Sequence, residues 1–211
     1  MATVHWARHG ENVANLSRTF SYRIFDGDLT ERGIAQAQHL AERLLGNEDR
    51  YGLLVSSPLR RARQTAAIVS ARLGLPIAAE LDDLREVNVG DLDGRADDGA
   101  WRSYDATLAA WRSGQLCQRF PGGESGDELI ARIRQALGNV AARAGDGDAI
   151  IVAHGASIRA ALPVLTGQPD PGRDLATGDA ARLSVTCAGA SASHVVLTSW
   201  PRGGRPPSRA P

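Results

Sequence analysis

The chain has 211 residues, enough to bury one good core, so a single domain over residues 1–200 is expected. Its 24 basic and 24 acidic residues cancel, and zero formal charge argues against nucleic acid or an anionic membrane as the main partner. All 24 basic residues are arginine; with no lysine anywhere, Walker-A and Schiff-base chemistry are both excluded.

The N-terminus has no signal-peptide apolar region and no stretch approaches a membrane span, so a cytoplasmic protein is expected. Cys117 and Cys187 lie far apart outside any Cys-x-x-Cys pair and read as two partly buried thiols. A homodimer is carried forward as the assembly to test.

Thr3 to Ala7 reads as a first strand, followed by a polar loop from Gly10 to about Gly27. Thr30 is a good N-cap for a helix with Ile34, Ala37, Ala41 and Leu44 on one face, stopped by Gly46-Asn47. Gly52 to Ser56 is an apolar run suited to a buried parallel strand. Ser57-Pro58 then starts a helix with Ala62, Thr65, Val69 and Leu73 on its face, ended by Gly74 and Pro76.

A brief strand near Ile77 to Ala79 leads to a loop holding Leu84-Arg85-Glu86 and Gly90-Asp91-Leu92-Asp93-Gly94. Residues 95–118 space Trp101, Tyr104, Leu108 and Trp111 at helical intervals, predicting a helical insertion over the sheet edge that roofs the active site. Gly122 to Ser125 leads into a helix with Ile130, Ile133, Leu137 and Val140 buried. Glu124-Ser125 is read as a cap first and a pocket wall second. Residues 149–153 form a strand, and the next helix carries Ile158, Ala161, Leu162 and Leu165, with Pro163 predicting a kink or early end. Leu183 to Cys187 and Val195 to Leu197 alternate as a hairpin joined by Gly189 to Ser193. Residues 201–211, with four prolines and three arginines, are expected to be a disordered tail. Alternating strands and helices predict an α/β fold, a three-layer α/β/α sandwich on a mostly parallel sheet with an antiparallel edge.

Two short motifs carry the chemistry. Arg8-His9-Gly10-Glu11-Asn12 follows the first strand, and His154-Gly155-Ala156 follows Ala149 to Ala153, 145 positions after His9. Ligands bind at the C-terminal ends of parallel strands, where helix N-termini also point. Two such strands side by side would bring two imidazoles and Arg8 to one spot, an arrangement suited to a phosphate.

These residues belong to a longer series in one order: Arg8 to Asn12; Leu29-Thr30 with Gly33, Gln36 and Ala37; Ser56-Ser57-Pro58-Leu59-Arg60-Arg61-Ala62 with Gln64, Thr65 and Ala66; Leu84 and Glu86 with Gly90 and Gly94; and His154-Gly155. The series, over roughly Val4 to Gly167, resembles the histidine phosphatase superfamily, which includes cofactor-dependent phosphoglycerate mutases and small phosphomonoesterases. The resemblance implies a phosphoglycerate mutase-like fold and, by its motifs, the phosphatase branch.

It also implies roles that the chemistry supports. His9 is the expected nucleophile, because a neutral imidazole attacks phosphorus to give a phosphohistidine that water hydrolyses. Arg8 and Arg61 are expected to clamp the phosphoryl oxygens, since a guanidinium binds phosphate bidentately and keeps its charge. His154 is the expected second donor, with Gly155 allowing close backbone approach, and Asn15 matches a phosphate contact. Glu86 is the candidate general acid, with Glu11 and Asp83 as alternatives. His5, His39 and His194 read as structural or surface residues. The scattered carboxylates lack metal-site spacing, so no metal and no cofactor is expected.

The sequence departs from the family pattern at Arg18 to Phe25, and Asp28 replaces the usual proline before Leu29. Ser21, Tyr22 and Arg23 are therefore candidate specificity residues, and a second arginine there would suit an additional anionic group. The expected activity is metal-independent hydrolysis of a small phosphorylated metabolite through a phosphohistidine. A mutase is the alternative, disfavoured because only 67 residues, 87 to 153, separate Glu86 from His154. A non-catalytic phospho-ligand binding module is the alternative of another class.

Overall fold

The computed structural model describes residues 1–47, 49–145, 147–168, 175–189 and 191–201. Six described strands form one sheet in the order β3-β2-β4-β1-β5-β6. They are β1 (Ala2–Arg8), β2 (Tyr51–Ser56), β3 (Ile77–Glu80), β4 (Asp148–Ala153), β5 (Ala180–Ala188) and β6 (Ser191–Ser199). β1, β2, β3 and β4 are parallel, and β5 pairs antiparallel with both β1 and β6. This is the expected mostly parallel sheet with an antiparallel edge.

Strand periodicity sorts the side chains between two faces. On β4, Ala149, Ile151 and Ala153 join the core on one side, while Ile150 and Val152 join the other. β1 does likewise, with Val4 and Trp6 opposite Ala7. Runs that are apolar at every position therefore read as strands buried on both faces. Helices α2 (Glu31–Leu45) and α3 (Arg60–Leu73) cover one face, and α5 (Gly126–Ala144) and α6 (Gly155–Thr166) the other.

Several local expectations need correction. The loop after Gly10 contains a short helix, α1 (Val13–Ser17). Asn12 caps it by exchanging backbone–side-chain hydrogen bonds with Asn15 at 3.1 and 3.2 Å. Five residues are too few to show helical periodicity. On α2, Ile34 is exposed and Gly33 faces inward instead. A Cβ on Gly33 would fall 1.9 Å from the Glu11 carbonyl oxygen, so the start of α2 packs directly on the backbone after His9. Pro163 does not end α6, which runs one turn further to Gly167 at φ +65°. Proline removes one intrahelical hydrogen bond, and the buried Leu162 and Leu165 on either side outweigh that loss. The hairpin turn is shorter than expected, because β6 already begins at Ser191. Cys117 is exposed rather than partly buried. The tail expectation falls outside the described residues beyond Pro201.

The aromatic insertion is helix α4 (Asp98–Arg112), capped by the Asp97 side chain. Its Trp101 and Tyr104 stack with Phe20, at centroid distances of 4.4 and 5.0 Å. The insertion is thereby tied to the loop that follows α1.

Candidate active site

Three strand ends meet at one place. The His9 N–H donates to Ala153 O and the Ser57 N–H to Val152 O, both at 2.9 Å, so the segments after β1 and β2 flank the end of β4. His9 and His154 are both buried, with ring centroids 5.2 Å apart. The side-by-side placement of the two histidines holds because Arg8 pairs with Ala153 in the parallel ladder.

The His9 environment assigns its tautomer. Nδ1 lies 2.6 Å from Gly10 O. A carbonyl only accepts, so the proton sits on Nδ1 and the lone pair on Nε2. That lone pair accepts the Nε–H of Arg61 at 3.0 Å. Burial first, then the Arg61 and Arg8 charges, hold the His9 pKa well below 6.5. The same causes, with burial again the largest, lower His154. Ser57 Oγ is 2.7 Å from His154 Nε2, and His154 Nδ1 is buried without a hydrogen-bond partner among the described residues.

Arg61 sits in the first turn of α3 and is nearly inaccessible. Its other nitrogens donate to Ser21 Oγ and Ser21 O, both at 3.0 Å, and to Asp26 Oδ1 at 3.4 Å. Arg8 donates to Leu175 O at 2.7 Å, while its buried Nε has no partner among the described residues. Gly155 explains how Arg8 fits: a Cβ there would lie 2.8 Å from the Arg8 Nε. The glycine therefore makes room for a side chain, where backbone approach to the ligand was expected.

Glu86 belongs to the same site, unlike the alternatives. Its Oε1 accepts from Ser157 N at 2.8 Å and Val87 N at 2.9 Å, and Oε2 accepts from Ala156 N at 3.2 Å. The carboxylate thus sits over the first turn of α6, where exposed backbone N–H groups favour an anion. Glu11 instead binds Thr30 and Arg32, and Asp83 borders another cleft.

A cavity of about 750 Å³ opens from this cluster. Arg8, His9, Asn15, Arg61, Glu86 and Gly155 line it, whereas His154 is enclosed behind them. Asn15 offers its amide NH₂, because its carbonyl oxygen already accepts from the Asn12 N–H. The specificity loop divides. Ser21 lines the cavity but is engaged by Arg61. Tyr22 and Arg23 do not line it and border a second cleft beside Asp82 and Asp83. The reason is Asp93, whose carboxylate accepts the N–H groups of Tyr22, Arg23 and Ile24 at 2.7 to 2.8 Å and curls that segment away. The Arg23 guanidinium instead covers the Tyr22 ring at 5.4 Å.

Glu124 also differs from expectation. Ser125 alone caps α5, in a reciprocal pair with Glu128, and Glu124 does not line the cavity. It binds Arg132 through both oxygens, at 2.7 and 2.9 Å. The remaining Arg132 donors hold the carbonyls of Asp83, Arg85 and Glu86. Sequence gave no sign of Arg132, Asp93, Asp26 or Ser57 in these roles, because each acts across long chain separations. Of the other histidines, His5 is buried 3.1 Å from Asp49, while His39 and His194 are exposed.

Two measurements follow from this geometry. Below pH 6.5 the unfolded chain protonates its histidines, while folded His9 and His154 refuse the proton. The unfolded state then binds more protons, so stability is lost as pH falls through 6.5 toward the lower folded values. His5, also lowered by burial, adds in the same direction. His9 and His154 together lose about 2 kcal/mol over the first pH unit, and the thermal midpoint should drop by about 4–8 °C. A midpoint flat over that interval would show that the imidazoles are not held neutral. Separately, Gly155→Ala should push Arg8 aside and raise the inhibition constant for vanadate or phosphate about tenfold or more. An unchanged constant would remove Arg8 from the anion site.

The histidine phosphatase superfamily (branch 1) family model matches residues 4–200. A 2,3-bisphosphoglycerate-dependent phosphoglycerate mutase of Methylobacterium sp. is 36% identical over 181 residues, covering 82% of this chain and 86% of the relative. A metal-independent phosphoserine phosphatase of Arabidopsis thaliana is 35% identical, covering 79% and 69%. Among solved structures, a mycobacterial glucosyl-3-phosphoglycerate phosphatase in complex with VO3 superposes with a TM-score of 0.77 at 27% identity. The match covers 95% of this chain and 99% of that one.

Proposed function

Because the chain belongs to the histidine phosphatase superfamily, we propose that it hydrolyses phosphomonoesters without a metal, through a phosphohistidine on His9. The observation that carries this reading is the His9 pair of contacts. Gly10 O fixes the proton on Nδ1, and burial together with the Arg61 and Arg8 charges keeps Nε2 unprotonated.

An incoming phosphoryl group takes over the Arg61 donors and releases the Nε2 lone pair. That lone pair attacks phosphorus, the ester P–O bond breaks, and the leaving oxygen takes a proton from Glu86. Oε2 is the oxygen with room for that proton, since it holds one longer hydrogen bond while Oε1 holds two. Water then attacks the phosphohistidine, returns a proton to Glu86, and frees phosphate and neutral His9. Arg8 and Arg61 offset the charge on the transferring oxygens. His154, enclosed behind the lining residues and held at Nε2 by Ser57 Oγ, backs His9 rather than reaching the cavity.

Glu86→Gln should lower kcat about 10²- to 10⁴-fold with an alkyl phosphate, and much less with nitrophenyl phosphate, whose leaving group needs no proton. Equal losses on both esters would assign Glu86 a structural task only. The reading itself is tested by phosphate release in chelator and by acid-quench trapping of phosphate on His9. A mutase is the second reading, favoured by the name of the 36% identical relative. Faster transfer between phosphoglycerates than phosphate release would select it.

A further inference from the structure

Beyond the phosphate clamp, much of the cavity lining is aromatic and apolar. Phe20, Trp101, Tyr104, Leu108 and Trp111 line the same cavity as Arg8 and Glu86, with Val164 of α6. The rings form one continuous cluster: Phe20 stacks on Trp101 and Tyr104, and Trp111 meets Phe120 edge-on at 5.3 Å. The polar ends of the indoles are already used. Trp101 Nε1 donates to Arg18 O at 3.0 Å and Trp111 Nε1 to Gln118 O at 2.7 Å, so what they offer a ligand is ring surface. A phosphoryl group fills only a small part of about 750 Å³, and a site of this size normally encloses most of a drug-sized molecule.

We propose that the leaving group of the natural substrate is a bulky, largely apolar alcohol, ring-bearing or branched, seated on this aromatic wall. The inference rests on the phosphomonoesterase reading and names the substrate class for that site. Burial of an aromatic leaving group removes apolar area from water on both partners, and the gain is present in substrate and transition state alike, so it appears in KM first. Arg112 and Arg159 also reach the cavity, and a phosphorylated acid reaching toward them is the competing substrate class.

The test compares alkyl phosphates with similar leaving groups, so that size and apolarity vary while chemistry does not. Wild-type enzyme in chelator is given phenethyl phosphate, ethyl phosphate, phosphoserine and 3-phosphoglycerate. The expected kcat/KM for phenethyl phosphate exceeds that for ethyl phosphate by about 100-fold, mostly through KM, and exceeds those of both acids. Leu108→Gln, which retains side-chain length at a half-buried position of α4, should shrink the phenethyl-to-ethyl ratio about tenfold or more. Equal rates on phenethyl and ethyl phosphate, or preference for either acid, overturns the inference while leaving the phosphatase reading standing. No turnover of any ester together with no phosphate trapped on His9 overturns the phosphatase reading, and the inference with it.

Discussion

His9→Ala should cut phosphate release from every phosphomonoester by at least about 10⁴-fold, because the phosphoryl acceptor itself is gone. The other groups near the reaction cannot replace it. His154 is enclosed, with Nε2 held by Ser57 Oγ, and Glu86 is anchored to three backbone N–H groups. Binding should survive better than turnover. The two guanidinium groups remain, and Arg61 is freed from its contact with His9 Nε2, so vanadate or phosphate should still inhibit complex formation with labelled ligand. The decisive comparison is phosphate release in chelator alongside the thermal midpoint of each protein. A folded His9→Ala retaining more than a few per cent of wild-type turnover would move the nucleophile elsewhere.

Arg132→Met should be the most damaging change outside the cavity. Arg132 and Glu124 form an ion pair in which the Glu124 side chain is only 9% accessible. Removing the arginine leaves a buried carboxylate with a single remaining donor among the described residues, the Asn88 N–H. Breaking such a pair costs about 3–5 kcal/mol, which lowers the thermal midpoint by roughly 10 °C or more. Three carbonyls of the segment 83–86 lose their donors at the same time, so Glu86 loses its footing. Arg132 is therefore a positioning residue, and its variant should show the signature of Glu86→Gln: a larger kcat loss on alkyl than on aryl phosphates. The double change Arg132→Met with Glu124→Gln should be less unstable than Arg132→Met alone, since no unpaired charge stays buried. Loss of stability with identical relative loss on both ester types would confine Arg132 to holding the fold.

The lines of the fold were legible because they depend on neighbours along the chain. Runs such as Ile150 to Val152 are apolar at every position because both faces are covered, and Thr30, Ser125 and Gly74 mark helix ends through hydrogen bonds to residues three or four positions away. Where the local signal was too short, as at α1, or competed with packing, as at Ile34, the reading failed, and at Pro163 packing carried the helix past the early end that proline allowed.

The sequence by itself determined which groups gather at the site: the histidine at each strand end, the arginines that suit a phosphate, the carboxylate of Glu86 and the absence of any lysine. Residue type and strand-end position sufficed there, because parallel strands present their C-terminal ends to one edge. Only the tertiary structure decided how those groups are held and what they face. The Arg61 contact on His9 Nε2, the room Gly155 makes for Arg8, the Arg132 brace under Glu86, and the turning of Arg23 away by Asp93 all join residues distant in the chain. The aromatic part of the cavity lining is of the same kind, since Phe20 and α4 meet only when the chain has folded. Such contacts are set by complementary shape and by polar groups seeking partners in a buried space, and no periodicity along the chain records them.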